Sequence, residues 1–190
     1  LNHSISPSKI LDDDFRIRVG EGKNSYDISV LNISGTSFGS ISPKAIQSFS
    51  AGAKKGGFAH NTGEGSLSKY HEKGGGDTIW QISTGYFGCR TQDGTFDEVQ
   101  FAEKAKLEQV KMIEIKLSQG AKPGHGRMLL GAKVSPEIAE ARNVQAYKDV
   151  ISPHTHSEFS TTGELLSFVQ KLRDLSGGKP VGIKLCIGHP

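Results

Sequence analysis

Only two cysteines occur in the 190 residues, Cys89 and Cys186. They stand alone, with no CxxC and no Cys/His ligand spacing, which excludes a disulfide framework and a structural zinc site. Isolated thiols suit a reducing compartment, so a cytoplasmic location is expected. No run of 18 apolar residues exists and no charged-then-apolar leader opens the chain, so no membrane-spanning helix is expected. The chain begins at Leu1 rather than Met, as a processed product or an excerpt of a longer chain would. Charge of one sign is also missing: 23 basic residues face 20 acidic ones, the net charge is +3, and the charges are scattered. That balance gives no argument for a nucleic-acid partner, and none is expected. No Gly-x-Gly-x-x-Gly follows the first expected strand, so a dinucleotide fold lacks its fingerprint.

Glycine is what the chain has in excess, 24 of 190 residues against a usual share of about 7%. The glycines are clustered and non-periodic, which excludes collagen, and they fall where strands are expected to end. Hydrophobic residues at 35%, charged residues at 23% and a mean hydropathy of −0.38 are ordinary for a soluble chain. The length suggests one domain, two at most.

Residues 1–14 read as a polar lead-in. Residues 15–19 alternate apolar and polar, residues 20–24 carry turn chemistry, and residues 26–33 alternate before becoming apolar. This pattern predicts a hairpin leading into a buried strand. Further strands are expected at 28–33, 58–60, 79–82, 112–117, 149–152 and 180–187, with long loops at 84–94 and 118–133 and a polar stretch after Gly65. Helices are expected from Pro43 behind a Ser42 cap, at 97–106, at 138–142 behind Ser135-Pro136, and at 162–175, where Leu165, Leu166, Val169, Leu172 and Leu175 share a stripe. Strands alternating with helices predict βαβ units and a parallel sheet. A (β/α)8 TIM barrel needs eight strands and about 250 residues. The expected fold is therefore α/β, an incomplete TIM barrel of about six strands over residues 15–190, lacking the last strands and preceded by a short β-hairpin.

In such a barrel the chemistry collects in the loops that follow the strands. Here those loops are rich in Gly, Ser, Thr and charge. The small residues Ser34 to Ser40 can lay backbone amides against a planar ring or an anion, or simply form a tight turn. Glycines flanking Glu64 aim one carboxylate or make a solvated turn. Alternation places Glu114, Lys116 and Ser118 on one face, where they serve a ligand or pair with one another. Lys122, in a glycine loop, is a candidate anion clamp. Lys184 interrupts an apolar strand, either facing a ligand or forming a buried ion pair. Trp80, Cys89 and Cys186 read as packing residues, and His154 with His156 as a loop pair whose spacing alone is weak for a metal.

Four ordered motifs, Ser37-Phe38-Gly39-Ser40-Ile41-Ser42, Asn61-Thr62-Gly63-Glu64-Gly65, Ile115-Lys116-Leu117-Ser118-Gln119-Gly120-Ala121-Lys122-Pro123-Gly124 and Lys133-Val134-Ser135-Pro136-Glu137-Ile138-Ala139, resemble the FMN-binding synthase domain of glutamate synthase. The likeness extends over about residues 15–190 and is nearest to stand-alone proteins without an amidotransferase domain. It implies a barrel with FMN at the carboxyl ends of the strands. It also implies reduction of an imino acid, formed from a 2-oxo acid and ammonia, by hydride from reduced FMN. By this resemblance the cofactor-binding residues are Ser37, Phe38, Gly39, Lys116, Gln119 and Lys184, and the catalytic residues are Glu64, Lys116 and Lys122. The substrate-binding residues are Glu64, Tyr86, Lys122 and Arg127, and the partner is a small amino or 2-oxo acid.

The sequence also departs from the family pattern. The family reads Ser-Gly-Arg-Phe-Gly where this chain has Thr84-Gly85-Tyr86-Phe87-Gly88, so Tyr86 stands in place of a substrate-pairing arginine. Met128 replaces a polar substrate contact, and Arg127 beside it is the expected compensation. The family carries an iron–sulfur cluster, and two cysteines are too few for its thiolate set. The 190 residues alone are expected to bind FMN weakly or not at all and to be inactive. An alternative reading is a non-catalytic truncated barrel serving as a subunit or interaction module, since open sheet edges favour homo-oligomers. A metal hydrolase using His154 and His156 lacks a carboxylate-rich ligand set.

Overall fold

The computed structural model describes residues 5–6, 15–117 and 126–187. Strands β1 (Arg16–Val19) and β2 (Tyr26–Ser29) form an antiparallel hairpin. Helix α1 (Pro43–Gly56) begins where Ser42 accepts the Ala45 N–H at 3.2 Å and ends on Gly57 at φ +66°. Then come β3 (His60–Asn61), a 3-10 turn at Gly63–Gly65, α2 (Lys69–Gly74), β4 (Thr78–Ile82), α3 (Glu98–Ala105) and β5 (Val110–Lys116). The described chain continues with β6 (Arg127–Leu129), α4 (Pro136–Arg142), β7 (Val150–Ser152), α5 (Thr162–Leu175) and β8 (Val181–Lys184). Helix α5 lies where its apolar stripe predicts it, and a capping box between Thr161 and Glu164, which the stripe alone does not reveal, starts it.

Four strands form one parallel sheet in the order β3-β4-β5-β8. One face of it packs against helices. Trp80, Ile82, Ile113 and Ile115 meet Phe101 of α3 and Phe168 and Leu172 of α5, and the fully buried Trp80 ring stacks on Phe101 at 5.3 Å. The other face is layered. At the amino-terminal ends Ala59, Ile79 and Met112 are covered by Tyr26, Val19 and Ile28 of the hairpin. Strand alternation then places Gln81 and Glu114 above them, and Lys116 beside its register partner Lys184 above those. The hairpin thus closes the lower end of a face whose upper end is polar. Among the described residues no helix is long and apolar enough to cross a membrane.

Several expected elements differ. The strand expected at 28–33 is cut short. Asn32 donates to the Ser29 carbonyl at 2.6 Å and accepts the Ala59 N–H at 2.9 Å, and only Ile33 bridges to His60 in parallel. The strand expected at 149–152 is β7, but it pairs antiparallel with β6, inside a stretch expected to be loop, and β8 lies directly against β5. Four of the six expected strands therefore share the parallel sheet. Helix α2 lies in the stretch expected to be merely polar. Its cap is a box in which His71, not Glu, returns to the Ser68 backbone. A Cβ on its last residue, Gly74, would sit 2.3 Å from the Ser50 Cβ of α1, so glycine there permits the close packing of the two helices.

Candidate functional site

The loops at the carboxyl ends of the parallel strands converge around Glu64. Its 3-10 turn lies against the loop of residues 34–40. A Cβ at Gly63, which has φ +60°, would meet the Ser37 backbone nitrogen at 2.8 Å, so glycine is what lets the two loops touch. Asn61, at the end of β3, ties them together. Its backbone carbonyl accepts the Thr36 N–H at 3.3 Å and its side chain accepts the Gly63 N–H at 2.9 Å.

Glu64 is clamped by two cations. Lys116 Nζ lies 2.9 Å from Oε2 and Arg127 Nη1 lies 2.7 Å from Oε1. The Glu64 and Lys116 side chains are each 10% exposed, whereas Arg127 is 42% exposed. Burial pushes the Glu64 carboxyl up, but the hydrogen bond and charge of Lys116, joined by Arg127, outweigh it and hold the group below its ordinary value. Glu64 is therefore a carboxylate whose two oxygens are both engaged. One layer below, Glu114 accepts from the Asn61 amide at 2.8 Å and from the Gln81 amide at 2.5 Å. The sequence alone left open whether Lys116 pairs with Glu114; among the described residues it pairs with Glu64.

A cleft of about 310 Å³ opens beside this clamp, lined among others by Ser37, Gly39, Glu64, Arg127, Met128 and Arg142. Arg142 comes from the last turn of α4 and is 6% exposed. It donates to the Phe38 carbonyl at 3.1 Å and lies over the Phe87 ring at 5.0 Å, while its Nε has no hydrogen-bond partner. Burial lowers its pKa, and no ion pair to it occurs among the described residues. A buried guanidinium that faces a cleft without a carboxylate of its own can take an anionic ligand. The sequence reading missed Arg142. The signal was its position four residues after Ile138, on the buried face of α4.

The structure brings Ser37, Gly39, Glu64 and Arg127 into one cleft, with Lys116 bound to Glu64. Phe38 sends its ring into the cluster of Ile46, Phe87 and Ile138, leaving its backbone at the loop. Lys184 shares the upper end of the sheet face with Lys116 and makes no ion pair among the described residues. Gln119 and Lys122 lie outside the described residues. Tyr86 is not in the cleft. It is fully buried at φ +45° among Phe96, Phe168 and His156, because this aromatic cluster and two polar partners for its hydroxyl hold it in the core. Cys89 is also buried, and burial pushes its thiol pKa up, as befits a packing residue. Cys186 is exposed.

Comparison with known proteins gives the family of the chain. A family model described as "Conserved region in glutamate synthase" matches residues 16–190. The chain is 46% identical over 182 residues to the "Glutamate synthase large subunit-like protein YerD" of Bacillus subtilis (strain 168), covering 94% of this chain and 34% of that protein. It is 33% identical over 154 residues to the "Archaeal-type glutamate synthase [NADPH]" of Thermotoga maritima, covering 80% of this chain and 28% of that protein. It is 32% identical over 157 residues to the "Archaeal glutamate synthase [NADPH]" of Archaeoglobus fulgidus, covering 82% and 28%. The chain thus spans about a third of the length of these relatives. With a family model matched over nearly its whole length, the chain belongs to the glutamate synthase family.

Proposed function

We propose that this chain carries part of the active site of a cytoplasmic FMN-dependent, glutamate synthase-like oxidoreductase built on a (β/α)8 barrel. In this reading it acts on an imino or 2-oxo acid and yields an amino acid. The observation that carries the reading is the clamped Glu64 beside the buried Arg142, whose Nε has no hydrogen-bond partner among the described residues, in a cleft at the carboxyl ends of parallel strands. That is where barrel enzymes keep their chemistry.

The residues present fit a flavin ring. The loop of residues 34–40 offers backbone and small side chains, and Lys116 and Lys184 set two cations on one sheet face. Lys184, without an ion pair among the described residues, is suited to negative charge on a reduced ring. When bound, FMN supplies the hydride. The chain's own residues then bind and orient. Arg142, with Arg127 at the cleft mouth, holds the acid's carboxylate. Glu64, kept ionised, orients Lys116 and Arg127 beside the cleft, and Lys116 Nζ holds the proton nearest the Glu64 carboxylate. Lys122 is assigned to the same pocket by its motif.

The test is an FMN titration of the protein at its native length, alongside Lys184→Met. Saturable binding that weakens in the variant supports the reading, and no binding by the natural protein overturns it. A second reading, an interaction module, draws on the free side of β8, where Ile183, Leu185 and Ile187 are exposed. In that case the protein self-associates or takes a partner without binding flavin.

A further inference from the structure

Behind Lys116 lies a chain of hydrogen bonds in which the Lys116 carbonyl fixes the imidazole proton of His156. The His156 Nε2 lies 3.0 Å from the backbone carbonyl oxygen of Lys116. A carbonyl only accepts, so Nε2 carries the hydrogen. In the neutral ring Nδ1 is then an acceptor, and the Tyr86 hydroxyl, 3.0 Å away, donates to it. The Tyr86 oxygen in turn accepts the Glu158 N–H at 3.3 Å. Tyr86 and His156 are buried, and the imidazole stacks on Phe159 at 4.6 Å. Burial lowers the His156 pKa, in keeping with the neutral ring that this pattern requires. Tyr86 sits at φ +45°, a conformation that costs a bulky residue energy, to place its hydroxyl there.

The place this chain reaches is informative. Lys116 is the last residue of β5, and the next amide, Leu117 N–H, donates to the Lys184 carbonyl at 2.9 Å. The two lysines assigned to the ring are therefore joined through one peptide unit, whose carbonyl is held by His156. We propose that His156, oriented by Tyr86, is a positioning residue that fixes the end of β5, so that Lys116 aims at Glu64 and stays in register with Lys184. This gives Tyr86 a role: it acts on the site through the strand behind the cleft rather than by touching substrate. The inference rests on the flavin reading for its effect on ligand, but its structural content can be tested separately.

The experiment uses the native-length protein and FMN as the probe, with three variants. His156→Phe keeps the stacked ring and removes both hydrogen bonds. Tyr86→Phe, a milder change, leaves Nδ1 without its donor. His156→Gln keeps a donor near the Nε2 position. The expected result is an FMN affinity about tenfold weaker in His156→Phe, the loss of roughly one hydrogen bond, with a smaller loss in Tyr86→Phe and recovery in His156→Gln. Nitrogen-15 NMR of the imidazole should show the Nε2–H tautomer in the natural protein and in Tyr86→Phe alike, because the Lys116 carbonyl fixes it, with the Nδ1 shift moving when its donor is removed. Exchange of the Leu117 amide should be faster in His156→Phe than in His156→Gln. Failure of the natural protein to bind FMN would sink the flavin reading while the tautomer and exchange results still judge the positioning role. An Nδ1–H tautomer in the natural protein, or Leu117 exchange and FMN affinity unchanged in folded His156→Phe and Tyr86→Phe, would overturn the inference.

Discussion

Replacing Glu64 by Gln tests the clamp at the centre of the site. The change keeps the shape and one acceptor oxygen but removes the charge that Lys116 and Arg127 share at 2.9 and 2.7 Å. The Lys116 side chain is nine-tenths buried and loses the Glu64 charge that balances it. Breaking one partner out of a buried pair costs about 3–5 kcal/mol. Arg127, being 42% exposed, can rehydrate, so its share is at most about 1 kcal/mol. The retained amide oxygen returns about 1 kcal/mol as a neutral hydrogen bond. Glu64→Gln should therefore destabilise the protein by about 3 kcal/mol. Urea unfolding at neutral pH reads this as a lower midpoint at constant slope. Adding Lys116→Met removes the stranded charge, and the double variant should recover at least half of the loss. The sign with pH is also fixed. Because the folded carboxyl is held below its ordinary value, the contribution is full above the unfolded pKa and lost as pH falls through the folded one. A loss under about 1 kcal/mol, or a double variant equal to the sum of the singles, would refute the reasoning.

Three further outcomes follow from the same structure. His60 and His71 are fully buried with ring centroids 5.0 Å apart, and burial pushes their pKa values down to about 4 and about 3. The unfolded chain binds protons first, so stability should fall by several kcal/mol between about pH 6.5 and 4; a pH series of urea unfolding that stays flat there contradicts this. Gly63→Ala forces a Cβ to 2.7 Å from Ser37 Oγ at φ +60° and should cost about 2 kcal/mol while weakening FMN binding; unfolding and titration together check it. Arg142→Met should leave stability within about 1 kcal/mol, since the desolvation cost of a buried guanidinium offsets what its Phe38 hydrogen bond and the nearby Glu64 charge return. Its Kd for a 2-oxo acid should rise about tenfold or more, as calorimetry on the flavin-loaded protein would show.

Much of the framework was legible because the signals were local. Ser42-Pro43 marked the start of α1, and the stripe from Leu165 to Leu175 marked α5. What escaped depends on pairings between distant residues. Asn32 ends the first strand by bonding to Ser29 and Ala59, and no periodicity encodes that choice. The six residues of α2 are too few for a helical period, and its box uses His71. Strand β7 has the pattern of a parallel strand but finds its partner in β6. The site was readable as a set of loops, whereas its wiring was not. Glu64 meets a lysine 52 positions away, Arg142 was passed over, and Tyr86, which by the family resemblance is expected at the substrate, is turned into the core.

The most direct measurement is the flavin content of the native-length protein, released by denaturation and quantified against protein. The account predicts close to one FMN per chain, lost or sharply reduced when Lys116 and Lys184 are both replaced by Met. A colourless protein that takes up no FMN on reconstitution, or undiminished binding after both lysines are removed, would contradict it.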